Sequence, residues 1–226
     1  MLTEFFNGKF IKKLSCVLCV VLTLVCVVYA YAFTRVKSIV IDASFYFLVS
    51  DDTRVEAGAE FVKWDGGAGY LLEHDNARYV AFTVFLDEEK GEAVRKALEV
   101  KGKGVSLLQK GAKTLYFKGR KKSKTGLYIS ALRLFKSYII LLNDCIGRLE
   151  SGMTQEACKR ILKTLTRQFQ HSAKAYNDYT AFAKVCMQSK VDLEHICQKT
   201  VYLKDLRFLL CWQAEKYVEL CQAFSL

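Results

Sequence analysis

The 226-residue sequence predicts an α+β protein with an N-terminal transmembrane helix, a small mixed module and a C-terminal antiparallel helical bundle. Three observations support this fold class. Residues 14–33 carry no charge, residues 43–110 alternate strand-like and helix-like segments, and residues 126–226 repeat apolar side chains at helical spacing. The remaining stretches predict a cytoplasmic N-terminus over 1–13 and a basic linker over 111–125.

The uncharged segment LSCVLCVVLTLVCVVYAYAF predicts a single-pass membrane anchor. Twenty residues at about 1.5 Å each cross a hydrocarbon core of about 30 Å. The distribution of basic residues on its two sides slightly favours a cytoplasmic N-terminus, so the bulk of the chain is predicted to lie outside the cell membrane. The alternative is a cleaved signal peptide, because Ala30-Tyr31-Ala32 has the small-x-small cleavage pattern. In both cases residues 34–226 are exported.

The first half of the module predicts a strand, a helix and a second strand. Ser44–Ser50 is rich in aromatic and β-branched residues. Apolar residues from Val55 to Val62 then recur at helical spacing, and Gly66-Gly67 predicts the end of that helix. Ala68–Glu73 follows as the second strand.

The second half predicts a hairpin and a second helix. The polar segment from His74 to Ala77 is turn-like, so a strand over Arg78–Leu86 is expected to pair with its predecessor. Asp87-Glu88-Glu89 predicts the start of a helix, since acidic side chains complement its positive end. The helix is expected to face inward through Val94, Ala97 and Leu98, and a last strand covers Val105–Gln109.

The order β-α-β-β-α-β predicts a ferredoxin-like, four-stranded antiparallel sheet with both helices on one face. Alternation along the strands then assigns five residues to the other, open face: Phe45, Phe47, Tyr79, Ala81 and Thr83. Aromatic rings on such a face are suited to stacking on sugars. The alternative interpretation is that these residues pack against the helical half of the chain or against a neighbouring molecule.

Four segments carry a resemblance to a known family: FYFLVSDD, FVKWDGGAGYLL, RYVAFTVFLDEEKGEAVRKAL and KGVSLL. Residues 43–110 resemble a SPOR domain, the sporulation-related repeat of bacterial envelope proteins, and in particular SPOR-like membrane proteins of clostridia. The resemblance implies a module outside the cytoplasmic membrane that binds peptidoglycan glycan strands across its open sheet face. It also implies a role at sites of cell division or sporulation.

The linker and the helical half are predicted from charge and periodicity. Lys113–Lys124 holds six basic residues and reads as a loop suited to anionic lipids or wall polymers, without the patterning of a nucleic-acid motif. A helix from Leu127, another from about Thr154 and a third from about Asp192 predict a three-helix bundle. The first helix has a seam typical of a coiled coil: Leu127, Ala131, Leu134, Tyr138, Leu141, Cys145 and Leu149.

The cysteines and histidines favour a non-catalytic protein without a metal or cofactor. Six of the nine cysteines lie in the helical half, where we expect free, buried thiols rather than disulfides. The histidines fall in three separate segments, and no catalytic motif accompanies them. The leading hypothesis is a peptidoglycan-binding envelope protein, with homo-oligomers through the helices as a further expectation. The alternative is a membrane-tethered scaffold that binds envelope proteins and no glycan.

Overall fold

The computed structural model describes residues 22–25, 38–50, 55–118 and 124–223. The predicted N-terminus over 1–13 and the predicted membrane span over 14–33 lie outside the described residues, apart from Leu22–Val25. These four residues are helical and exposed. Residues 38–226 form one compact unit.

The module contains the predicted sheet and both predicted helices. Its strands are β2 (Phe45–Ser50), β3 (Tyr70–His74), β4 (Ala77–Phe85) and β5 (Val105–Lys110), and its helices are α1 (Val55–Trp64) and α2 (Glu88–Val100). The strand order is β3-β4-β2-β5, and each neighbouring pair is antiparallel. The α+β class and the four-stranded antiparallel sheet are therefore confirmed.

A two-residue turn sets the register of the β3–β4 hairpin. Asp75 and Asn76 both have positive φ, 48° and 61°, as the turns that match the twist of a hairpin require. His74 consequently pairs with Ala77 at the end of the ladder. Short polar side chains tolerate this conformation better than other non-glycine residues, which explains why the polar segment marks the turn.

Helix α2 begins where predicted but faces the sheet through a different side. Asp87 caps it by accepting a hydrogen bond from the Glu89 backbone at 2.8 Å. Gly91 is its buried residue, and a Cβ there would lie 3.0 Å from the methyl groups of Leu107. Because this glycine sets the closest approach to the sheet, Val94 turns outward and is 38% exposed. The prediction that Val94 and Ala97 face inward is wrong, since both are exposed.

Part of the predicted linker is a strand. Strand β6 (Leu115–Lys118) pairs antiparallel with β1 (Ser38–Ile41) in a separate two-stranded sheet. Phe117 of β6 is buried, so an apolar side chain fixes a segment whose net charge suggested a loop. The loop prediction for 111–125 is wrong at these residues, and 119–123 lie outside the described residues.

The helical half contains four helices rather than three over the described residues 124–223. They are α3 (Lys124–Glu150), α4 (Gln155–Ala175), α5 (Thr180–Gln198) and α6 (Leu203–Gln222). The second predicted helix is divided by the turn at Tyr176–Tyr179, which contains Asn177 and Asp178, residue types that favour turns over helix interiors. Asp192 lies inside α5 and does not begin a helix.

Helix α3 is the core helix of this half. Its seam is centred on Leu132, Phe135 and Ile139, which are fully buried, whereas Leu127 and Leu141 of the predicted seam are exposed. Among the described residues α3 is also the one helix with the length and hydropathy of a membrane span, and half of that window is buried inside the protein. Because one side of α3 is buried inside the protein, we interpret it as a core helix against which the other helices pack.

Candidate functional site

The sheet face that carries the predicted site is covered by the chain's own helices. Phe45, Phe47 and Ala81 are fully buried, and Tyr79 packs, partly buried, against the same core. That core also contains side chains from α3, α4, α5 and α6. The open-face prediction for these residues is therefore wrong, and packing against the helical half is confirmed. The physical reason is that burying an apolar, aromatic sheet face under helices has a lower free energy than exposing it to water.

Thr83 lies on the opposite face of the sheet from the other predicted residues. The register of β2 and β4 shifts between Leu48 and Val49, so Thr83 pairs with Leu48 while Ala81 pairs with Val49. Leu48 also pairs with Leu107, which is the residue closest to Gly91 of α2. A bulge inserts one residue and reverses the alternation beyond it. Strict alternation therefore could not assign Thr83 correctly.

Helix α6 is held on the covered face by a buried polar group. The Tyr70 hydroxyl donates a hydrogen bond to one oxygen of Glu215, and Lys110 pairs with the other. The ammonium of Lys110 also donates to the Glu73 carbonyl at 2.8 Å. Burial, and then the neighbouring Glu215 carboxylate, raise the pKa of Tyr70. This arrangement fixes α6 against β3 and β5, so the roof over the sheet is specified by polar contacts as well as by apolar packing.

A cleft of about 500 Å³ is lined by side chains of α5, of α6 and of the turn that joins them. Its apolar walls come from Ile196, Leu209, Phe208 and Trp212, and its polar lining from Gln188, Asp192, His195, Lys199 and Asp205. Clefts of about 300–1,000 Å³ with apolar walls and a few polar groups are typical of binding sites. The ring of Phe208 is 42% exposed and is supported edge-on by Tyr70 at a centroid distance of 5.2 Å. We take this cleft as the candidate functional site.

The electrostatics of the cleft centre on Asp192. Burial raises the pKa of the Asp192 carboxyl, while a hydrogen bond from Gln188 and the nearby His195 act in the opposite direction. The Gln188 amide donates to Asp192 at 2.9 Å. Within the described ranges neither Asp192 nor Asp205 forms a salt bridge. A partly desolvated carboxylate of this kind is suited to a cationic group that would restore its solvation.

The described residues contain no group of three histidine, cysteine, aspartate or glutamate side chains placed to hold a metal. The polar lining of the cleft combines carboxylates with aromatic faces, which is a binding chemistry for cations.

The sequence reasoning did not find the cleft. Gln188, Asp192 and His195 step by four and three residues, which places them on one side of α5, and Lys199 directly follows the end of that helix. That polar stripe was obscured because Asp192 was interpreted as the start of a helix. Phe208 and Trp212 lie one helical turn apart on α6 and form the aromatic part of the lining. The signal was present, but it required the correct boundaries of α5 and α6.

Comparisons of this chain with protein-family models, with curated proteins and with solved structures return no match. The resemblance to SPOR domains accordingly stays a prediction.

Proposed function

We propose that this chain is a non-catalytic, membrane-tethered interaction module that binds a basic segment of a partner protein in the cleft between α5 and α6. The proposal rests on a difference in accessibility between the sheet face and the cleft. The sheet face is occupied by α6, with Phe45 and Phe47 fully buried, whereas the cleft remains accessible and has Phe208 and Trp212 in its lining.

The nature of the occupant follows from the lining. Two carboxylates, Asp192 and Asp205, lie beside two aromatic side chains, and the basic residues of the lining are His195 and Lys199. A guanidinium or ammonium group stacks on aromatic rings and pairs with carboxylates at the same time. A lysine or arginine flanked by apolar residues therefore fits this cleft.

The membrane part of the proposal rests on the uncharged segment over 14–33. Such a tether concentrates the module at the bilayer. A low affinity of the cleft therefore suffices for binding to a partner at the same membrane. Binding of glycan strands across the sheet would require α6 to leave Phe45 and Phe47, which is why the proposal favours a protein partner.

Photo-crosslinking in the cell of origin tests the proposal. Benzoylphenylalanine replaces Phe208 in the full-length chain and, as a matched aromatic control, Tyr116, which is 65% exposed and lies in β6. We expect a protein adduct from position 208 alone, with a lysine or arginine in the linked peptide. Adding Asp192→Asn should reduce the adduct about tenfold or more, because a hydrogen bond to a charged group contributes about 1.5–3 kcal/mol.

Three results of these experiments would contradict or change the proposal. Adduct formation that is equal at both positions, or unchanged by Asp192→Asn, contradicts the proposal. Co-sedimentation of the full chain with sacculi that is unaffected by Phe208→Ala and Asp192→Asn would instead favour glycan binding elsewhere on the molecule. An adduct between two copies of the chain would identify the partner as a second copy.

A further inference from the structure

The two cysteines that face each other at the α3–α4 turn carry an inference independent of the cleft. Cys145 of α3 and Cys158 of α4 place their sulfur atoms 3.5 Å apart. Both are free, buried thiols in the structure, as the sequence predicts, with 1% and 0% of their surface exposed. A disulfide has an S–S distance of about 2.05 Å, so the sulfur atoms need to approach by about 1.5 Å. We propose that Cys145 and Cys158 form a disulfide that joins α3 to α4.

The turn between the two helices holds the pair in place. Thr154 caps α4 by accepting from the Ala157 backbone at 3.3 Å, and the Met153 backbone donates to the Arg148 carbonyl at 3.0 Å. Because both helix ends are fixed next to the cysteines, closing the bond requires side-chain rotation and a small shift. The turn does not need to unfold.

The reaction balances with a small organic disulfide such as oxidised glutathione. One protein thiolate attacks the reagent and releases one small thiol, which leaves a mixed disulfide on the protein. The second protein thiolate attacks that sulfur and releases the second small thiol. The protein pair loses two electrons and two protons, and the reagent gains them.

Burial determines when the bond forms. Burial raises the pKa of the Cys145 thiol to about 12, so the reactive thiolate is scarce in the folded protein at neutral pH. We therefore expect rapid formation during folding and slow formation afterwards. Cys197 of α5 is partly exposed and is an electrostatic neighbour of Cys158. It is the competing partner that an experiment must distinguish.

The test is peptide mapping of the full chain in detergent under non-reducing conditions. The protein is refolded in a glutathione redox buffer, alkylated and digested with trypsin. The expected product links the peptide over 137–148 to the peptide over 149–159 and is lighter than their sum by two hydrogen atoms. The free peptides return after reduction, and the oxidised protein has the higher Tm.

Two variants control the assignment. Cys197→Ser should retain the linked product, whereas Cys145→Ala should lose it and lose the redox dependence of Tm. A product that links Cys158 to Cys197 overturns the proposal. Free thiols at Cys145 and Cys158 after refolding of the unaltered chain in oxidising buffer overturn it too, and this outcome does not depend on whether a variant folds.

Discussion

The ring of Phe45 on β2 meets the ring of Tyr217 on α6 edge to face, with centroids 5.8 Å apart and an interplanar angle of 79°. Both side chains are fully buried. This contact joins the predicted binding face of the sheet to the last helix of the chain. It makes the sheet and the helical half parts of one core, so residues that suggested a polymer-binding surface stabilise the fold instead.

Replacing Phe45 should therefore destabilise the whole fold rather than impair one binding function. We expect Phe45→Ala to lower the free energy of unfolding by about 3–5 kcal/mol, as removal of a buried aromatic side chain does. Tyr116→Ala is the matched control, because Tyr116 is 65% exposed and its loss should cost about 0.5 kcal/mol or less. Urea denaturation followed by circular dichroism measures both. Equal stability of the two variants would contradict the covered sheet face.

Much of the module was predictable because its signals are local. Turn residues, the Asp87 cap and strand-like runs lie within a few positions of the elements that they define, and the structure has those elements. The face of α2 was not predictable, since it depends on how closely Gly91 approaches Leu107. That approach is a tertiary contact that helical periodicity does not encode.

The candidate site depended on information that is not local. A β-bulge places Thr83 on the opposite face of the sheet from the one predicted. The division of the helical half at Tyr176–Tyr179 changes which residues share a helix face. Whether the sheet face was open depended on the position of α6, more than one hundred residues later in the chain. The aromatic composition of the face fits both a sugar-binding surface and a covered one, so it does not decide between them.

Glu215 should contribute to stability as the centre of a buried polar group. It accepts from Tyr70 and pairs with Lys110, so replacing it leaves the buried Tyr70 hydroxyl without its acceptor and the partly buried Lys110 ammonium without its carboxylate. We expect Glu215→Leu to cost about 3–5 kcal/mol. Glu219→Leu, one turn later in α6, removes a surface pair with Lys216 and should cost about 0–1 kcal/mol.

The measurement for this pair of variants is again urea denaturation at pH 7. A double variant, Glu215→Leu with Lys110→Met, tests the reason for the loss. Removing both charges should recover part of the stability, because no unpaired, partly buried ammonium remains. Failure of the double variant to exceed the single one would indicate that packing, rather than the orphaned charge, determines the loss.

Gly111 should tolerate no side chain. Its φ is +86°, and a Cβ there would overlap the Ala43 carbonyl oxygen far inside van der Waals contact. Gly102 is the matched control, with φ +75° and no atom within 4 Å of its Cβ position. We expect Gly102→Ala to cost about 1–2 kcal/mol for the left-handed backbone alone. Gly111→Ala should cost clearly more in the same thermal melts, and equal values would contradict the described path of the chain between β5 and β6.

Asp192 should affect both the stability of the fold and the proposed binding function. Its effect on stability should depend on pH. Burial raises the pKa of its carboxyl above the ordinary value of 3.8. The folded state therefore binds this proton more tightly than the unfolded chain does. The ionised carboxylate lowers stability at neutral pH, and this loss disappears as the pH falls through the folded-state pKa towards 3.8. Asp192→Asn should accordingly have a higher Tm than the unaltered protein at pH 7.

Melts from pH 7 down to about pH 3.8 test that sign, since the difference between the two proteins should shrink towards zero over the acid end of this window. Asp178→Asn, an exposed residue of the α4–α5 turn, should show little difference at any pH. A lower Tm for Asp192→Asn at pH 7 would contradict the burial cost. A substitution that stabilises the fold while reducing the crosslink at position 208 is the pattern expected of a binding residue, because a site that needs a desolvated carboxylate retains it at the expense of stability.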